Sequence, residues 1–209
     1  MTKDNWEIRR LRADDDIYTI AELLMETDPF IYKDLFGSYE NAVKVLPCLF
    51  RRDSGIFKRS CYYLALDNKD ILGMIAIFKY GDDWQEEEVR MAFIEAGVAL
   101  PQSFNAVSKY FKEAHNYQPE VKACNVCVRK EYRRRGVGDF MVKEVIRMAG
   151  NSNIMLTVLT SNETAVKLYR DNGFRILYEY DDYGGYGNGK VRCYSMIRLH
   201  TVKNIKIDS

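Results

Sequence analysis

Apolar positions along the chain switch repeatedly between a period of two and a period near 3.6. Trp6 to Leu11 alternates as a first strand, and Ala13-Asp14-Asp15-Asp16 then opens a helix with Ile17, Ile20, Leu23 and Leu24 on one side. The segment Thr27 to Tyr32 breaks that helix, and a second one is predicted from about Ser38 to Arg52, disturbed by Pro47. Cys61 to Leu66 and Ile71 to Lys79 read as strands joined by a hairpin-type turn at Asp67-Asn68-Lys69-Asp70. Gln85 to Ala96 and Ser103 to His115 both read as helices. An apolar strand through Val128 follows, then a helix carrying Phe140, Met141, Val145, Ile146 and Met148, and a strand from Ile154 to Leu159. A helix to Asn172 and two strands around the glycine- and tyrosine-rich loop Tyr183 to Lys190 close the pattern. No linker or repeat interrupts it, so residues 1–209 are expected to form a single α/β domain.

Composition narrows the possibilities. A hydrophobic share of 47% with 29% charged residues suits a globular chain that buries a sizeable core. With 31 basic and 30 acidic residues the formal charge is +1, so no global field recruits nucleic acid or an anionic membrane. The N-terminal residues lack the apolar core of a signal peptide, and the longest plainly apolar run, Ile71 to Phe78, is too short to span a bilayer; a cytoplasmic location is expected. The five cysteines, Cys48, Cys61, Cys124, Cys127 and Cys193, lie mostly in apolar segments and read as reduced, buried thiols. Cys124 and Cys127 have metal-ligand spacing, but they sit in a strand without a partner pair, and His115 and His200 are the only histidines. No metal is expected.

The segment Val126 to Gly138 carries the strongest chemical signal. An apolar strand, Val126-Cys127-Val128, runs into the basic turn Arg133-Arg134-Arg135-Gly136-Val137-Gly138, which opens an amphipathic helix. The first backbone N–H groups of a helix have no intrahelical partner, and together with the helix dipole they attract anions. Glycines there let the backbone turn tightly and approach a pyrophosphate. A P-loop would need Lys-Ser/Thr after its last glycine, where Asp139-Phe140 stands, and a dinucleotide fingerprint would need a third glycine. An ordinary strand-to-helix turn with solvated arginines remains open on this motif alone.

The Arg-x-x-Gly-x-Gly turn and its strand resemble the acetyl-CoA-binding motif of the GNAT superfamily of acyl-CoA N-acyltransferases. A second block, Val158 to Phe174, is similar to another conserved GNAT segment, with Asn162 at the helix start, then Ala165, the pair Leu168-Tyr169 and the close Gly173-Phe174. The two blocks cover about residues 121 to 175 in the family's order. Lys130 stands where the family often has a proline. The resemblance implies a central, split mixed sheet flanked by helices, with acetyl-CoA as acyl-donor cosubstrate and an amine as acceptor, in a monomer or homodimer. It also marks the helical stretch at about 81–119 as an insertion, because the family usually joins these strands by a short turn.

The resemblance further implies a division of labour. The cofactor strand should part from the next strand near Val126 to Val128, freeing backbone groups for the pantetheine arm and the thioester carbonyl. Cys127 then contributes backbone, with a covalent acyl-enzyme as the alternative. Arg133, Arg134, Arg135, Gly136, Val137 and Gly138 would grip the pyrophosphate. Asn162 would contact the CoA arm or cap its helix, and these roles are compatible. Tyr169, by spacing alone a core residue, takes the role of general acid for the departing thiolate, since a phenol stays protonated at neutral pH. The glutamate that some family members carry as base is replaced by Lys122. Asp28, Tyr32, Glu95, Tyr183 and Tyr186 are left as acceptor-side candidates beside a water relay, with Phe30 and Phe36 as further aromatics. A non-catalytic acyl-CoA sensor and a nucleic-acid-binding domain are the rival readings.

Overall fold

The computed structural model describes residues 5–28, 30–79, 81–114 and 120–200. Met1 to Asp4, Pro29, His115 and Pro119, all within segments singled out above, lie outside the described residues. The fold is mixed α/β, a seven-stranded sheet ordered β1-β2-β3-β4-β5-β7-β6 with helices on both faces. Its strands are β1 (Trp6–Arg10), β2 (Tyr62–Asp67), β3 (Asp70–Lys79), β4 (Val121–Val128), β5 (Ile154–Leu159), β6 (Arg175–Tyr183) and β7 (Lys190–Arg198). The helices are α1 (Ile17–Thr27), α2 (Ile31–Phe36), α3 (Tyr39–Arg52), α4 (Glu86–Glu95), α5 (Phe104–Ala114), α6 (Val137–Ala149) and α7 (Glu163–Asp171).

The apolar run in β3 follows from its place in the sheet. Met74 and Ala76 pack under α1 to α5, whereas Ile75 and Ile77 pack with α6 and α7, so both faces of the strand are covered. Gly73 in the same strand is a close-approach residue: a Cβ there would lie 2.5 Å from the Cys127 carbonyl oxygen across the β3–β4 pair. Pro47 does not break α3, which runs unbroken around it. The expected break at Thr27 to Tyr32 is real but brief, because α2 restarts at Ile31; Asp28, at the end of α1, bridges the junction, its Oδ1 accepting from Phe30 N at 3.0 Å and from Ile31 N at 3.0 Å.

Helices α4 and α5 form a clamped pair between β3 and β4. Trp84 Nε1 donates to Ser108 Oγ at 3.0 Å, and Ser108 donates in turn to Glu86, which also pairs with Arg90 and Lys112. These donors hold the Glu86 carboxyl down at about 2. Phe111 stacks on Trp84 with ring centroids 4.6 Å apart. Among the described residues no helix is long and apolar enough to cross a membrane.

Two irregularities position the site. β4 and β5 are parallel neighbours through only two residue pairs, Val121 with Ile154 and Lys122 with Met155, and then part. On its other side β4 bulges, because Asn125 and Val126 together stand opposite the single residue Ile75 of β3. Asn125 takes a left-handed backbone, φ 52°, at that bulge.

Candidate active site

The parted strands open a cavity of about 240 Å³ between β4 and β5. Its floor is Lys122 to Val126 of β4 and Thr157 to Leu159 of β5. Asn162, Ala165 and Tyr169 of α7 line one flank. The opposite flank gathers Asp28, Phe30, Ile31 and Tyr32 from the α1–α2 junction, Tyr110 and Phe111 from α5, and Asp182 and Tyr183 from β6. Residues far apart in sequence thus meet where the sheet gives up its pairing.

The basic turn lies beyond the end of β4. Gly136 sits at φ 93° as the residue before α6, and no side chain caps that helix. Among the described residues the amides of Gly136, Val137 and Gly138 find no protein acceptor. By contrast, α1, α3 and α7 are capped by Asp16, Ser38 and Asn162. An uncapped N-terminus of a 13-residue helix is a ready anion site. Gly138 answers a different need, since a Cβ there would lie 3.2 Å from Leu168 Cδ2 of α7.

The three arginines are not equivalent. Arg133 turns back, its Nε donating to the Val128 carbonyl at 2.9 Å and its guanidinium pairing with Glu26 at 2.8 Å. It therefore ties the turn to β4 and α1. Arg134 is exposed with a left-handed φ of 59°, and Arg135 lies over the Tyr132 ring.

Tyr169 is both a core residue and part of the cavity wall. Only 6% exposed, it packs edge-on against Phe174 at 5.8 Å, yet it also lines the cavity, where its hydroxyl has no protein partner among the described residues. Burial pushes its pKa upward, keeping the phenol protonated and able to donate. Asn162 accepts from Ala165 N at 3.1 Å as a helix cap while lining the same cavity. The Cys127 thiol is buried, and burial pushes it up to about 12, the opposite of an activated nucleophile.

Among the acceptor-side candidates, Asp28, Tyr32 and Tyr183 line the cavity together. Burial raises the Asp28 carboxyl, with Asp182 and Asp34 adding to the shift, although the two backbone N–H groups oppose it. Tyr32 is buried, its hydroxyl donating to Asn125 Oδ1 at 3.0 Å, and burial drives its pKa up as well. Tyr183 donates to Asp34 Oδ2 at 2.8 Å and lies 5.4 Å from the Tyr110 ring.

Three candidates lie elsewhere. Glu95 does not line the cavity; it pairs with Arg51 and Arg52 where α4 packs on α3, because that packing sets two cations of α3 beside it. Phe36 is wholly buried, stacked on Phe93 at 6.2 Å. Tyr186 is exposed in the β6–β7 loop, its N–H bonded to Asp34.

The pattern along the chain did not single out Tyr110, Phe111, Asn125 or Asp182. Asn125 had a usable signal, a polar residue interrupting an apolar strand and tolerant of left-handed backbone. Tyr110 and Phe111 had only their place on an amphipathic helix, which is equally the mark of core. Among the described residues no group of three or more metal-ligating side chains is present.

Comparison with known proteins places the chain in a family. The sequence profile of the Acetyltransferase (GNAT) family matches residues 17–174. An uncharacterized protein of Mycobacterium leprae is 44% identical over 55 residues, a match that covers 26% of this chain and only 15% of that protein's length. Similar folds include an N-acetyltransferase from Staphylococcus aureus Mu50, at TM-score 0.67 and 17% identity over 91% of this chain and 99% of that one. A GNAT family acetyltransferase from Elizabethkingia anophelis with acetyl-CoA bound superimposes at TM-score 0.53, with 18% identity over 94% of this chain and 99% of that one.

Proposed function

Because the chain belongs to the acetyltransferase (GNAT) family, we propose that it transfers an acetyl group from acetyl-CoA to a primary amine by direct attack. The acceptor is a small amine or the amino terminus of a peptide. The observation that carries this reading is the cavity itself: a gap between β4 and β5, with an uncapped helix near one end and an unpartnered tyrosine hydroxyl in its wall.

The pyrophosphate is held by the N-terminus of α6, with Arg134 and Arg135 adding positive charge. The pantetheine arm enters between the parted strands, where backbone groups of Val126 to Val128 bond it and the thioester carbonyl. The amine nitrogen attacks the thioester carbon, the carbon–sulfur bond breaks, and Tyr169 gives its proton to the departing sulfur. Asp28 accepts the proton lost by the amine. Its buried carboxyl has a raised proton affinity, which suits a base working near neutral pH better than an ordinary carboxylate would. The tyrosines and Phe111 around it favour an acceptor with an apolar or aromatic body.

A thiol-release assay with acetyl-CoA and a panel of primary amines tests the proposal. Amine-dependent release supports it. Tight acetyl-CoA binding with no release for any amine would leave the chain a sensor of acyl-CoA.

A further inference from the structure

The bulge in β4 holds a polar group that the proposed chemistry leaves unused. A left-handed residue at a two-for-one bulge explains why asparagine is tolerated at 125, but it does not explain what the side chain does. Its Oδ1 accepts the Tyr32 hydroxyl at 3.0 Å. Tyr32 is itself locked in the core, stacked on Phe36 at 6.4 Å, so the carboxamide is held in one orientation. Its Nδ2 is shielded from water and has no hydrogen-bond acceptor among the described residues. Only Trp6 Nε1 and Arg52 Nε share that condition among the described residues, and neither residue lines the cavity, whereas Asn125 does. Leaving a buried donor unmet is unfavourable and rare in native proteins, so such a group calls for a partner, and at a cavity wall a bound molecule can supply it.

We propose that the Asn125 carboxamide is a substrate-binding group, with Nδ2 donating to a carbonyl oxygen of the bound substrate and Tyr32 acting as the positioning residue that aims it. This rests on reading the cavity as an acyl-transfer site. A neutral amide N–H suits a carbonyl oxygen, and two such oxygens come within the chemistry of this cleft. One is the thioester carbonyl of the acyl donor. The other is a carbonyl beside the acceptor amine, as in an amino-acid amide or a peptide terminus. In the first case Asn125 adds a side-chain donor to the backbone donors at the bulge. In the second it reads the acceptor, opposite the Asp28 carboxyl.

The test uses Asn125→Asp, which keeps the acceptor for Tyr32 but lacks the N–H donor, and Asn125→Gly, which keeps the left-handed backbone and removes the side chain. Tyr32→Phe removes only the tether. Melting temperatures first establish that each variant folds. The acyl-donor arm measures binding of S-(2-oxopropyl)-CoA, which carries a carbonyl, against S-propyl-CoA, which does not. The acceptor arm measures KM for phenylalaninamide against phenethylamine. Loss of one hydrogen bond should erase a preference of about five- to tenfold in one arm and leave the other unchanged, and the arm affected identifies the oxygen. All three variants should share the loss. If the glycine variant folds and neither preference changes, Asn125 serves the backbone alone and the proposal falls. If the parent protein binds neither CoA analogue, the acyl-transfer reading itself falls, and this inference with it.

Discussion

The cavity has two flanks built in opposite ways. The flank proposed for the cofactor is one contiguous stretch, β4 through α7, and it offers mainly backbone: a parted strand edge and the bare amides before α6. The flank proposed for the acceptor is assembled from the α1–α2 junction, α5 and β6, and offers side chains: Asp28, Tyr110, Phe111, Asp182 and Tyr183. A ligand shared across a family can be held by backbone geometry that few substitutions disturb. A partner that differs between members must be read by side chains, which can change without unfolding the scaffold.

The largest effect is expected at Tyr169, on the α7 flank. Tyr169→Phe should lower kcat by about 100- to 1000-fold and leave acetyl-CoA affinity close to the parent value. Unchanged turnover, with chemistry limiting, would return this residue to the core. On the cofactor flank, Gly136→Val forces a β-branched residue to the φ of 93°. Losing two charge-assisted bonds to the pyrophosphate should weaken acetyl-CoA by on the order of 100-fold and abolish its stabilisation against heat. Undiminished binding would break the backbone half of the contrast.

On the acceptor flank, Asp28→Asn should slow acetylation about 10- to 100-fold near neutral pH, with recovery as pH rises and free amine accumulates. The same variant should be more heat-stable than the parent. A carboxyl raised by burial favours the folded state while protonated, and that benefit is lost as pH rises through its folded value. The melting-temperature gain should therefore be absent below about pH 4 and grow upward from there. A gain largest in acid would contradict the burial argument. Tyr110→Ala should raise the acceptor KM roughly tenfold without changing acetyl-CoA affinity.

The smallest expected effect tests whether the α4–α5 pair merely holds the acceptor wall. Glu86 is held at about 2 by Lys112, Ser108 and Arg90, so its stabilisation is present above its ordinary value of 4.5 and is lost as pH falls toward 2. Glu86→Gln should lower the melting temperature at pH 7 by a few degrees, with the difference closing near pH 2. A loss of acetyl-CoA affinity in this variant would show that the flanks are coupled.

The same asymmetry decided what could be read from the chain. Gly136 and Asn162 announce themselves because local backbone geometry and helix caps leave marks at fixed spacing, whereas Tyr169, by spacing alone a core residue, stands out only through the resemblance of its block. The strand from Ile154 to Leu159 and the helices on either side of it fall where periodicity puts them. Glu95 shows the limit: a carboxylate in the right segment, but engaged by Arg51 and Arg52 through tertiary packing that no spacing records. Tyr110 was hidden by the converse problem, since an aromatic on an apolar helix face has the same signature whether it meets a core or a cavity. The bulge at Asn125 depends on a register across two strands separated by the α4–α5 pair, a relation invisible in either strand alone.

The short seam between β4 and β5 has a mechanical consequence. Through the sheet, β1 to β4 are joined to β5, β7 and β6 only by the two pairs at Val121–Ile154 and Lys122–Met155. A rotation there of a few degrees is magnified along the remaining length of both strands, as a pair of shears opens most at its tips. On the proposed reading, substitutions at Val121 or Ile154 should therefore change the aperture that acetyl-CoA enters, and with it the affinity of the cleft.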